Sequence, residues 1–205
     1  MALHRPDIDV PSVINSGGLG AGVTREPMTS GSCPPTVGDI VTEHLTGIVA
    51  ASAQWLLTAF PAPADPFAAM SAQWQAREAA SVAARLRYPT DADDALLELC
   101  GPGGCTRLDW LSGADLSAAP AEAAPWRSWV DEVVVSWAAA LLGDPVLAAA
   151  AAVAAGEPLD GPLVTPSASD LTAAALLRHP DLLAAVADLH RTALLRALAA
   201  SPSPR

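Results

Sequence analysis

The chain has 205 residues, 51% of them hydrophobic, and a net charge of −11. Its eleven Lys-plus-Arg positions are all Arg, so lysine Schiff-base, P-loop and kinase-type chemistries are excluded. Acids outnumber the scattered Arg residues two to one, which argues against neutralising phosphates, so neither nucleic acid nor an anionic membrane is an expected partner.

Residues 1–35 read as a flexible arm. Gly, Ser and Pro dominate from Asn15 to Pro35 and no periodicity appears. Gly17-Gly18-Leu19-Gly20-Ala21-Gly22 follows no strand and breaks the G-x-G-x-x-G pattern, so it is a linker and not a phosphate loop. Met1 to Val10 has no apolar signal core, and three Cys do not make a disulfide scaffold. A cytoplasmic location is the default expectation.

The first helix is announced by Pro34-Pro35 and a Thr36/Asp39 capping pattern, and Pro61 stops it near Phe60. Asp65-Pro66 opens the second as N-cap and first helical residue. Its stripe is expected to be Phe67, Met70 and Trp74, continued by Val82 and Leu86, up to Pro89. Thr90 and Asp93 cap a short third helix over Asp91 to Cys100, ended by Gly101. Residues 101–125 read as loop, with one helical turn at Asp109-Trp110-Leu111. Trp126, Val130, Val133, Trp137 and Leu141 give the clearest helical stripe, ended by Gly143. Asp144-Pro145 restarts a helix to Ala155, Ser167/Asp170 caps another through Arg178, and the last runs from Asp181 to Ala200. That final helix is expected to carry Leu183, Val186, His190, Leu194 and Ala197 on one face.

The fold expected is therefore all-α: a bundle of about six to seven helices forming one domain over 36–200, with a tail at 201–205. Leu45 to Phe60 and Val133 to Ala155 are apolar but interrupted, so both read as buried helix and not as membrane spans.

No linear motif fixes a chemistry. There is no G-x-S-x-G, no H-E-x-x-H, no EF-hand loop and no repeated Glu-x-x-His for a di-iron bundle. The candidates are weaker constellations. His44 beside Glu43, and His190 two residues after Asp188, lie on or beside apolar helix faces, where a buried general base could sit. Arg107 and Asp109 lie in the nearby loop. Cys100 and Cys105 flank a Gly-rich turn that could hold a metal or a redox pair, although four zinc ligands are not in evidence. Trp129 lies off the main stripe and Trp110 lies in a loop, which marks both as interface residues.

Three functions follow in order of support. The first is an accessory, non-catalytic domain that binds another protein through its arm and Trp110 or Trp129. The second is an enzyme that takes a small apolar ligand into the bundle and uses Glu43, His44 and His190 for acid–base work. The third is a sensor built on Cys100 and Cys105. No cofactor is implied by any motif.

Overall fold

The computed structural model describes residues 37–90, 93, 97, 101, 104–113 and 124–201, with backbone alone for 37–44. The arm, most of the expected third helix and residues 202–205 lie outside them. The described residues form eight α-helices and one 3-10 segment, with no strand. The all-α bundle is confirmed. None of these helices is long and apolar enough to cross a membrane.

Helix α1 spans Val37–Ala59 and α2 spans Pro66–Arg87. Asp65 caps α2 by accepting the Ala68 N–H at 2.8 Å, with Pro66 in the first turn, as its sequence dictates. The buried face of α2 bears out Val82 and Leu86 and corrects the rest of the expected stripe. Phe67, Met70 and Trp74 are 78%, 60% and 65% exposed, and the face turned inward is Ala72, Gln75, Ala76, Ala79, Ala80, Val82, Ala83 and Ala84. The cause is crowding. Helix α2 packs on α1 and on the later helices Glu132–Gly143, Pro145–Ala155 and Ala168–Ala173, and helix axes approach closely only over small side chains.

Residues 104–113 hold more helix than the single turn expected. Helix α3 runs Thr106–Ser112 and ends at Gly113, whose φ of 63° is the left-handed conformation glycine adopts most easily. Trp110 therefore lies on a helix. The helix expected from Trp126 begins later. Residues Pro125–Trp129 form a 3-10 segment, and α4 is Glu132–Gly143. Asp131 separates them as the N-cap, accepting the N–H groups of Val133 at 2.7 Å and Val134 at 3.1 Å and the Tyr88 hydroxyl. Burial and this carboxylate both push the Tyr88 phenol well above its ordinary pKa. Helix α4 is buried along Val134–Leu142, which makes it, with α2, the centre of the core.

Asp144 then caps α5, Pro145–Ala155, through the Val146 and Leu147 N–H groups, and Gly156 ends it at φ 72°. Helix α6 is Ala168–Ala173, opened by a reciprocal Ser167/Asp170 capping box; turns, not helix, continue to Arg178. The long final helix is also divided. Helix α7 is Pro180–Ala187 and α8 is Arg191–Ala200, with His190 at the N-cap between them. Buried Ser136 of α4 donates to the Ala187 carbonyl at 3.2 Å and accepts the His190 N–H at 3.0 Å, while Trp137 Nε1 donates to the His190 carbonyl at 3.1 Å. Side-chain hydrogen bonds to α4 thus hold the backbone at a break that apolar spacing alone does not reveal.

One buried cation joins these elements. The Arg178 guanidinium donates through Nε to Gln75 Oε1 and through its terminal nitrogens to the carbonyls of Leu142 at 3.2 Å, Pro162 at 2.6 Å and Leu163 at 3.2 Å. Gln75 donates in turn to Ser71 Oγ and to the Asp170 carbonyl, each at 3.1 Å. Beside this network, Glu78 accepts the Leu163 N–H at 2.9 Å. Gly161 lies so close to that carboxylate that a Cβ at 161 would meet Glu78 Oε1 at 1.7 Å.

Replacing Arg178 with Met is expected to lower unfolding stability by about 3–5 kcal/mol, because several buried acceptors lose their donor at once. Denaturant unfolding measures this, and an unchanged midpoint would remove Arg178 from the centre of the fold.

A second prediction concerns pH. Burial, ahead of all other causes, raises the Glu78 pKa above 4.5, while hydrogen bonds from Ser167 and Ser71 lower that of Asp170 below 3.8. The Glu78 contribution is complete below pH 4.5 and is lost as pH rises through its raised value. That of Asp170 runs the other way and is lost as pH falls through its lowered value. Glu78→Gln keeps an acceptor for Leu163 and removes the ionisation. Its stability relative to the parent is expected to improve between pH 4 and pH 7. An identical difference at both pH values would contradict this.

Candidate functional site

The two indoles of the 3-10 segment are placed by a chain of polar contacts. Trp55, buried in α1, donates its Nε1 to Asp109 Oδ1 of α3 at 2.8 Å. The other oxygen of Asp109 pairs with Arg127. The Arg127 guanidinium lies 5.7 Å from the centre of the Trp126 ring. Core, α3 and the 3-10 segment are thereby locked together, and Asp109 is occupied in a structural role. Trp129 then lies across α1, where its ring would stand 3.4 Å from a Cβ at position 47; Gly47 supplies the close approach.

The result is a groove of about 490 Å³ floored by Gly47, Ala50 and Ala51 and walled by Gln54, Arg77, Trp126 and Trp129. Arg77 also belongs to a neighbouring groove of about 540 Å³ lined by Met70, Gln73 and Trp74 and, at its far end, by Glu78, Ser81, Arg85 and Glu157. Both grooves open to solvent, and they share Arg77. Along α2 the outward residues Phe67, Met70, Trp74, Arg77, Ser81 and Arg85 recur at intervals of three and four, so they form one continuous stripe.

The sequence-predicted residues distribute unevenly around this face. Trp129 lines the groove and is 46% exposed, whereas Trp110 is 80% exposed on α3 and lines neither groove. His190 does not lie mid-helix on an apolar face. It caps α8, and its Nε2 is 2.8 Å from Glu132 Oε1, with Arg107 3.6 Å from the same oxygen. It lines neither groove. Glu43 and His44 belong to the backbone of α1, but their side chains lie outside the described residues, as does Cys100. Cys105 is buried, and burial first, then Asp109, pushes its thiol above the ordinary range, which disfavours the thiolate that metal binding and redox exchange require. Among the described residues no three His, Cys, Asp or Glu side chains gather to hold a metal ion.

Sequence reasoning missed Phe67, Met70, Trp74 and Arg77. The available signal was a second stripe on α2, made of Ala72, Ala76, Ala79, Ala80 and Ala83, which is as periodic as the bulky one and better suited to close helix packing. Comparison with known proteins adds no assignment: no protein-family profile, curated protein or solved structure matches this chain.

Proposed function

We propose that this chain is a protein-interaction domain that docks its partner on the outer face of α2 and the adjoining Trp126–Trp129 groove. The observation that carries this reading is the exposure of Phe67, Met70 and Trp74 in one line on a helix whose other face is fully packed. Scattered exposed apolar residues are ordinary, but large contiguous ones flanked by polar groups mark interaction sites. Trp, Met and Arg are the residue types that protein interfaces enrich. Trp129, Met70, Trp74 and Arg77 supply all three on neighbouring grooves.

The acid–base reading has less support. His190 is already paired with Glu132, and the two grooves described are open clefts and not an enclosed pocket.

A surface role and a folding role separate cleanly in experiment. Trp74→Ala and Met70→Ala are expected to change unfolding stability by no more than about 0.5 kcal/mol, because both side chains lie outside the core. The same substitutions are expected to abolish partner trapping by a photo-crosslinker placed at position 73. Full trapping by the Trp74→Ala variant would sink the proposal.

A further inference from the structure

This inference rests on the docking face just proposed and concerns the chemistry of what occupies it. Helix α2 bears Arg77, Arg85 and Arg87 against a single acid, Glu78, on a chain of net charge −11. It is a cationic helix on an acidic protein. Its charges are not equally available. Arg85 pairs with Glu157 at 2.9 Å, and the Arg87 guanidinium lies 5.5 Å from the centre of the Tyr88 ring. Glu78, at the edge of the Trp74 groove, is engaged by the Leu163 N–H, as Glu157 there is by Arg85. Arg77 alone of the three forms no ion pair or ring contact among the described residues, and it stands where the two grooves meet.

We infer that the partner segment is acidic and amphipathic, placing a carboxylate on Arg77 and a large apolar side chain in each groove. The charge complementarity is specific. A planar guanidinium accepts a carboxylate in a two-pronged geometry. With Trp74 on one side and Trp126 and Trp129 on the other, docking removes water from the pair and strengthens it. A basic segment would set like charges together at the centre of the face, which opposes binding. Phe67 to Arg77 covers roughly 15 Å of helix, so about three turns of a helical partner would match the stripe.

The test uses the full chain as bait for a library of random 16-residue peptides. Enriched peptides are expected to combine Asp or Glu with Trp, Phe or Leu. For the best of them, Arg77→Glu is expected to weaken binding at least tenfold without altering the circular dichroism spectrum. Exchanging the peptide's key Glu for Lys is expected to restore binding to the Arg77→Glu variant. Neutral or basic peptides that still require Trp74 and Trp129 would overturn the acidic chemistry while leaving the docking face intact. Enrichment of no peptide sensitive to Trp74→Ala or Trp129→Ala would overturn both. Two other occupants would also overturn an external acidic partner: a parent dimer that Arg77→Glu dissociates in sedimentation velocity, or a synthetic peptide of residues 1–36 that binds with the same Arg77 dependence.

Discussion

The structure depends on one guanidinium that is almost wholly buried. Arg178 has no carboxylate within ion-pair distance among the described residues; it is held by a glutamine oxygen and three main-chain carbonyls. Those acceptors come from α2, the end of α4 and the loop before α6, so a single side chain fixes three separate parts of the chain. Burial lowers its pKa, and Glu78 and Asp170 counter that loss through space. The geometric demand is strict, because a forked donor satisfies several acceptors only if each lies in its plane. A lysine has one ammonium and does not reproduce this. In a chain whose cations are all Arg, the central polar junction uses a property that only Arg has.

Around that junction the protein inverts the usual allocation of bulk on one helix. The packed side of α2 is largely alanine, and the solvent side carries phenylalanine, methionine and tryptophan. Close packing against several neighbours explains the first half of this arrangement. Folding gains little from the second half, since these side chains remain 60–78% exposed. The asymmetry is what directs attention to this face and away from the histidines.

The sequence disclosed what depends on local chemistry. Asp65-Pro66, Asp144-Pro145 and the Ser167/Asp170 box begin helices where their capping patterns place them. It failed where the deciding contact lies far along the chain. Trp126 and Trp137 share a period, yet Asp131 caps a helix between them, and its carboxylate is also held by Tyr88, forty-three residues earlier. The break at His190 is fixed by Ser136 and Trp137, more than fifty residues away. Of the candidate site, Trp129 was found because it sat off a stripe. Arg77 is not legible in one dimension, because its lack of an ion pair among the described residues is a fact of three-dimensional placement.

The position of Arg178 in the chain also orders events during synthesis. The ribosome produces α1 to α5 and the loop through Leu163 before it reaches the residue that satisfies the carbonyls of Leu142, Pro162 and Leu163. Helices α6, α7 and α8 have six, eight and ten residues, too short to persist undocked. The emerging chain therefore lacks, until Arg178 arrives, the side chain that donates to these carbonyls at the polar end of the seam between α2 and α4. A chain cut short of residue 178 lacks the one side chain that donates to all three of these carbonyls.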